Sequence, residues 1–271
     1  AAVESGAVTN RYLIGAAGWL ERFTYRRSAA ITVLSGDIRD NIAAKLPAQR
    51  RGDVRVIPNF VDAEAIRPLD RMTAYRRELG IGDGPVVLYA GNVGFSQSLD
   101  LVLAAARELP DVVFLINGGG GARHELMSQA ADLPNVRFGD YQPAGRLAEV
   151  LATGDIHVVP LKRGLARSSV PSKTYSILAA GRPVLASIDP GTEVTSILAS
   201  SGAGVSVPPD DPAAFVDALR GLLAEPSFGA ERGLLGRAWV QERATPSAVA
   251  EAYEALAAEL MARHRRRRRR Q

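Results

Sequence analysis

Six short runs of nearly continuous apolar residues set the strongest limit on what this 271-residue chain can fold into. PVVLYA (85–90), DVVFLIN (111–117), NVRFGD (135–140), DIHVVPL (155–161), PVLAS (183–187) and GAGVSV (202–207) alternate with longer stretches, 98–109, 122–133, 144–154, 172–181 and 192–202. In the longer stretches apolar residues recur three or four positions apart. The first pattern is that of strands buried on both faces, the second that of amphipathic helices. Short connections between alternating elements imply an α/β protein, a parallel sheet wound on both faces by helices. Three further helical patterns follow at 211–224, 229–243 and 246–263.

Upstream the same pattern is incomplete: a helix over about 9–27, a strand AAITVLS (29–35), a helix DIRDNIAAKL (37–46), then VRVIPN (54–59). Two strands and two helices make a poor independent core. Residues 1–70 therefore read as the remnant of a second Rossmann-like domain, ending in the linker NFVDAEAIRPLD (59–70). Residues 71–245 form the main Rossmann-like domain, and 246–271 a last helix with a disordered arginine tail. The opening AAVESGAVTNRYL has neither an initiator methionine nor the basic region of a signal peptide, so a fragment is expected.

Composition narrows the chemistry. The 33 Lys and Arg outnumber the 29 Asp and Glu, but seven of the arginines are Arg263 and Arg265 to Arg270, which leaves 26 against 29 elsewhere. The body lacks the basic face of a nucleic-acid reader, so no specific nucleic-acid partner is expected. With no cysteine there is no disulfide, thiolate nucleophile or zinc–cysteine site, and His124, His157 and His264 are too far apart for a local ligand motif. The longest apolar stretches fall well short of the roughly 18 to 20 residues that span a bilayer.

In an open parallel sheet ligands bind beyond the carboxyl ends of the strands, so the loops that follow them carry the candidate residues. In GNVGFSQS (91–98), Gly91 and Gly94 either bring backbone amides to an anion at a helix start or form a plain tight turn. NGGGGARHEL (117–126) suits close approach of a phosphate or sugar at Gly118 and Gly119. The sixth position of a dinucleotide fingerprint is here Arg123 or His124 rather than glycine or alanine, and no G-x-x-x-x-G-K-[ST] occurs. Hydride transfer and P-loop hydrolysis both lose support.

LKRGLARSSVPSK (161–173) gathers Lys162, Arg163, Arg167 and Lys173 before a helix that Ser172 is placed to cap. Lys173 then falls in the first helical turn, where the helix dipole disfavours a cation unless an anion neutralises both. A diphosphate resolves that conflict; an exposed lysine with its stem packed on the surface is the plain alternative. DPGTEV (189–194) delivers Gly191, Thr192 and Glu193 to another helix start, where Glu193 either complements the dipole or accepts hydrogen bonds from ribose or sugar hydroxyls. His157 inside a strand reads as a packed core histidine. Tyr141, after a strand end, either flanks a nucleobase or is a half-buried loop residue. Trp19, Phe23 and Tyr25 beside Arg22, Arg26 and Arg27 suit either packing on the rest of the first domain or a peripheral membrane contact.

The ordered set GNVG, INGGGG, NVRFGDYQP, GDIHVVPL, VPSKTYSILAAGRPVLAS and GTEV resembles the donor-binding half of bacterial family-4 glycosyltransferases of the GT-B fold, over roughly residues 28–262. The likeness is greatest to the subgroup that builds exopolysaccharide or O-antigen. The resemblance implies an N-terminally truncated enzyme that moves a sugar from a nucleotide-diphosphate sugar to a glycan or lipid-linked acceptor. It also implies retention of configuration, no metal or other cofactor, and a cytoplasmic location, with the inner face of the membrane left open. The acceptor lies against the N-terminal domain, onto which the last helix, 246–262, crosses back.

Carried over by position, Gly91, Asn92 and Gly94 line the diphosphate loop, Ser172 and Lys173 face the phosphates, and Gly191, Thr192 and Glu193 approach sugar and ribose. Tyr141 meets the base. Lys173 and Glu193 are the candidate catalytic residues. Two departures stand out: Ser168 and Ser176 occupy a Glu-x7-Glu pattern, and Asn92 and Ser96 replace a basic pair. Two other functions fit the same architecture, a nucleotide-sugar epimerase and an inactive sugar-nucleotide-binding module with an arginine tail for anionic lipid or nucleic acid.

Overall fold

The computed structural model describes residues 10–166, 170–224 and 226–268, with side chains for all of these except 226–228 and 267–268. The central element is a six-stranded sheet of β3 (Val86–Ala90), β4 (Val113–Asn117), β5 (Val136–Gly139), β6 (Ile156–Pro160), β7 (Val184–Ser187) and β8 (Gly204–Val207). All neighbours are parallel, in the order β5-β4-β3-β6-β7-β8. The chain thus walks outward from β3 to β5, returns to the middle, and walks the other way from β6 to β8. At that reversal the ladder joins only Val87 to Ile156 and Leu88 to His157, so β3 and β6 part above Leu88. A crevice at the carboxyl ends of the strands follows from this topology.

The four inner strands, β4, β3, β6 and β7, alternate their side chains between two buried layers. Val87, Tyr89, Phe114 and Ile116 pack under α4 (Asp100–Glu108) and α9 (Pro212–Ala224), where Val102, Phe215 and Leu219 meet them. Val159, Val184 and Ala186 pack on the other side with Leu178 of α7 (Lys173–Ala179), Ile197 of α8 (Glu193–Ser201) and Val240 of α10 (Pro226–Arg243). The expected helices at 122–133 and 144–154 are shorter, α5 (Arg123–Gln129) and α6 (Leu147–Thr153).

The first residues form α1 (Arg11–Arg27), β1 (Ile31–Val33), α2 (Gly36–Ala44) and β2 (Val54–Val56), with β1 and β2 parallel around Val33, Leu46 and Val54. Ile38 of α2 packs against both this small core and the core beneath α7 and α8. The last helix, α11 (Pro246–Arg268), brings Glu259 to Arg55 at 3.1 Å and Arg263 to Asp53 at 3.3 Å. It extends through Arg268, further than the expected end at 263, because arginine is a good helix former and a helix already nucleated is extended at little cost. The arginine run is helical through Arg268, and Arg269 and Arg270 lie outside the described residues. Among the described residues no helix is long and apolar enough to cross a membrane. On α1, Trp19 and Phe23 stack with centroids 5.5 Å apart on an exposed face.

One short helix escaped sequence reading: α3 (Ala74–Glu78), whose N-cap Thr73 accepts a hydrogen bond from Arg76 N–H at 3.0 Å. Its Arg76 side chain is fully buried and donates to the carbonyls of Gly82, Gly84 and Thr153, with Asp155 at 3.6 Å. That guanidinium ties the entry to β3 to the end of α6. Arg76→Met removes the donor to the Gly82 and Thr153 carbonyls, while Gly84 and Asp155 keep Arg71 as a partner, and we expect a loss of about 1–3 kcal/mol in urea unfolding.

Candidate active site

The crevice between β3 and β6 opens into a cavity of about 640 Å³ lined by Gly91, Asn92, Asn117, Tyr141, Ser172 and Lys173, with Asn59 and Phe60 of the linker at its edge. That volume falls in the range of small-molecule sites, roughly 300–1,000 Å³. Its floor is built by two βα loops stacked on each other. Gly91 N–H donates to the Asn117 carbonyl at 2.9 Å, and Val93 N–H to the Gly119 carbonyl at 2.8 Å. Gly118 has φ +134°, and a Cβ there would overlap the Gly91 carbonyl oxygen. The glycine run is needed because one loop lies directly on the other, not because it faces the cavity.

Lys173 begins α7, and its ammonium lies 3.7 Å from the centroid of the Tyr89 ring, beside Gly91. No carboxylate pairs with it among the described residues. Burial pushes its pKa down to about 7. The aromatic face compensates the cation only in part, a contact of about 0.5–2 kcal/mol, while the amino end of α7 acts against it. The site therefore holds a positive charge without a counter-ion, at the mouth of a cavity, among backbone amides.

Of the residues singled out by sequence, Gly91, Asn92, Tyr141, Ser172 and Lys173 line this cavity. Tyr141 is exposed, and its hydroxyl donates to the Gly119 carbonyl at 3.2 Å. Ser172 occupies the N-cap position, but its backbone is already helical and its hydroxyl makes no capping bond, which corrects the expected cap. Gly118 and Gly119 sit one layer behind. Gly94 N–H is taken by Gln97 Oε1 at 3.0 Å, and the residue borders a separate hollow of about 160 Å³ that Lys162 also lines. Arg163 is committed elsewhere, its backbone N–H donating to Asp210 at 3.0 Å and its guanidinium to the Pro209 carbonyl at 2.9 Å. Arg167 and Ser168 lie outside the described residues; Ser176 does line the cavity.

Gly191, Thr192 and Glu193 do not line it. Their loop follows β7, one strand further from the reversal, and is anchored by Asp189 accepting from Gly164 N–H at 2.7 Å. Thr192 donates its hydroxyl to the Asp189 carbonyl at 2.9 Å. Glu193 turns to the start of α2, where burial and the nearby Asp37 raise its pKa and a hydrogen bond from Gly36 N–H partly offsets them. His157 is fully buried with Nε2 2.8 Å from the Leu151 carbonyl oxygen, and burial lowers its pKa to about 3; it is a neutral packing group, as its strand position suggested.

Sequence reading missed Asn117, Gln142, Asn59 and Phe60. Asn117 carried a signal, as a polar residue closing an apolar strand just before the glycine run. The linker pair carried none, since the linker is held by the return of α10, where Arg237 donates to the Ala63 and Ile66 carbonyls and the Ala244 carbonyl accepts from Val61 N–H.

A doubly wound sheet with a cationic cleft at its reversal, joined to a second α/β unit, is the architecture of GT-B glycosyltransferases. Solved structures agree in fold. Sucrose-phosphate synthase from Thermosynechococcus elongatus superposes with a TM-score of 0.79 at 21% identity, covering 96% of this chain and 66% of that one. Anabaena HepE, solved with UDP and glucose, superposes with a TM-score of 0.74 at 14% identity, covering 86% and 64%.

The family described as glycosyl transferases group 1 matches residues 84–225, and the chain belongs to it. It is 36% identical, over 56% of its own length and 39% of the relative's, to the putative colanic acid biosynthesis glycosyl transferase WcaI of Escherichia coli K12. It is 28% identical, over 71% and 49%, to the probable glycosyltransferase WbjE of Pseudomonas aeruginosa. The chain spans about half or less of the length of these curated relatives.

An uncompensated cation costs stability in the empty protein. The Lys173 pKa is lower in the folded state than the usual ~10.4 of an unfolded lysine, so unfolding takes up a proton between about pH 7 and 10. Stability from this group is least at and below pH 7 and is recovered as pH rises towards 10. Lys173→Met is expected to raise the melting temperature of the ligand-free protein at pH 7, with the gain shrinking by pH 10 in a calorimetric series.

Proposed function

We propose that this chain is the donor-binding part of a family-4 glycosyltransferase that moves a sugar from a nucleotide-diphosphate sugar to a glycan or lipid-linked acceptor in cell-surface polysaccharide biosynthesis, with retention of configuration. The observation that carries this reading is the Lys173 ammonium, partly buried and without a carboxylate partner among the described residues, beside Gly91 in the crevice at the sheet reversal. Cleavage of the bond between sugar and diphosphate leaves charge on the departing phosphate. Preorganised amides and a cation in a partly dry cleft stabilise that charge without waiting for solvent to reorganise. Lys173 supplies the cation, and Gly91 and the adjoining loop the close approach. Glu193, set at the seam with α2, acts on the acceptor side of the cleft and not on the phosphates.

The acceptor lies toward residues 10–58, and lipid linkage puts the enzyme at the cytoplasmic face of the membrane. The arginines and exposed aromatic residues of α1 are chemically suited to peripheral contact there. Relatives named for colanic acid synthesis and for kanosaminyl transfer support sugar transfer as the common chemistry.

Calorimetric titration with UDP-glucose and GDP-mannose, followed by transfer assays, tests the reading. Lys173→Ala is expected to lower turnover on the order of 10²-fold or more; turnover near the wild-type rate defeats the assignment. Donor consumed with no acceptor present points to the epimerase instead. The pH dependence has a definite sign. A bound diphosphate raises the Lys173 pKa from about 7, so binding takes up a proton above pH 7. Affinity should fall by up to about tenfold per pH unit above pH 7 and level off below it.

A further inference from the structure

We infer that Asn117 reads the nucleobase of the donor as a hydrogen-bond donor only, because Tyr75 holds its amide oxygen, and that the site thereby takes an oxo base, uracil or guanine, in preference to adenine. This rests on the donor-site reading above and extends it to the class of nucleotide. The strand order β5-β4-β3-β6 puts Asn117 at the end of β4, one strand from Gly91 and two from Lys173 at the start of α7. Tyr141 and Gln142, after β5, lie one strand further still and line the same cavity. A nucleotide whose phosphates meet Lys173 therefore lays its base over Asn117 and towards Tyr141.

The amide is locked from behind. Tyr75, on α3 and buried, donates its hydroxyl to Asn117 Oδ1. The ring is held at both ends. Its backbone N–H donates to Glu149 Oε1 at 2.8 Å, and Arg146, paired with Glu149 and Glu78, lies 5.4 Å from the ring centroid. Gly139 leaves room for the bond, since a Cβ there would overlap the Tyr75 hydroxyl and stand 2.6 Å from Asn117 Oδ1. Burial, and after it the charge of Asp140, raise the Tyr75 pKa, so the hydroxyl keeps its proton and stays a donor.

Among the described residues the Asn117 nitrogen has no hydrogen-bond partner and is not sealed from solvent, although the residue as a whole is 5% exposed. Asn117 lines the cavity, and its amide nitrogen is the polar atom left to meet a ligand there. An asparagine pairs with adenine through both amide atoms, the oxygen accepting from the exocyclic amine while the nitrogen donates. With the oxygen occupied that pairing is closed, and a ring carbonyl is the complementary partner.

The test is competition binding of UDP, GDP, ADP and inorganic pyrophosphate to the chain. In the wild type, UDP or GDP should bind about tenfold tighter than ADP, the scale of one satisfied or lost hydrogen bond in a closed site. Tyr75→Phe keeps the ring but frees Oδ1, and the ratio of that oxo-base nucleotide to ADP should fall towards one. A purely structural tyrosine would weaken all nucleotides together and leave the ratio unmoved. Asn117→Ala should lower the affinity of the same nucleotide relative to pyrophosphate by about tenfold, with pyrophosphate binding reporting that the variant is folded. Equal wild-type affinity for ADP, or an unchanged ratio in Tyr75→Phe, overturns the assignment while leaving the donor site standing. Failure of every nucleotide and of pyrophosphate to bind overturns both.

Discussion

A cation held where the fold provides no anion organises this molecule. Lys173 stands at the amino end of a helix, over the Tyr89 ring and beside Gly91, with its pKa lowered to about 7 by burial. Each of those features opposes the charge or only partly compensates it. A chain selected for stability alone would place an apolar residue there, so the arrangement makes sense as one half of an ion pair completed by a ligand. The position exists because β3 and β6 part at the reversal of the sheet, and the strand ends whose loops line the cavity lie within two strands of that point.

The stacked loops give the site its rigidity. The 91–94 turn lies on the glycine run, which lies against the end of β5, and backbone hydrogen bonds join the three layers. The side chains that reach the cavity, Asn117 above all, are therefore fixed by the same contacts that close the core. Tyr75 connects this arrangement to α3, and Arg146 with Glu149 connects α3 to α6. The candidate base subsite thus depends on residues more than forty positions apart in sequence, none of which has a chemical signature of its own.

A second seam joins the small α/β unit to the large one. Ile38 belongs to both cores, while Glu193 and Asp37 face each other where the amino ends of α8 and α2 meet. Both oxygens of Asp37 are buried without a hydrogen-bond partner among the described residues. Glu193 was a natural candidate for sugar contact from sequence, since an acid after a glycine turn at a helix start fits that role. Its placement depends instead on which strand precedes the loop and on what packs across from it.

Strand and helix identities in the large sheet were legible in the sequence because burial on both faces and amphipathic helices leave two distinct periods, and the six strands lie within two residues or so of the expected runs. That Gly91, Tyr141 and Lys173 gather at the carboxyl ends of the strands was legible too, because these loops follow parallel strands and a lysine in a first helical turn is an electrostatic conflict visible in one dimension. Whether Gly118 faces a ligand or another loop, whether Thr192 has a free hydroxyl, and which way the Asn117 amide points were not. Local sequence determined the elements and the charges they carry. Only the tertiary structure decided which polar atoms are spent on one another and which are left for a ligand, because hydrogen-bond partners here come from strands and helices that the chain brings together by reversing direction.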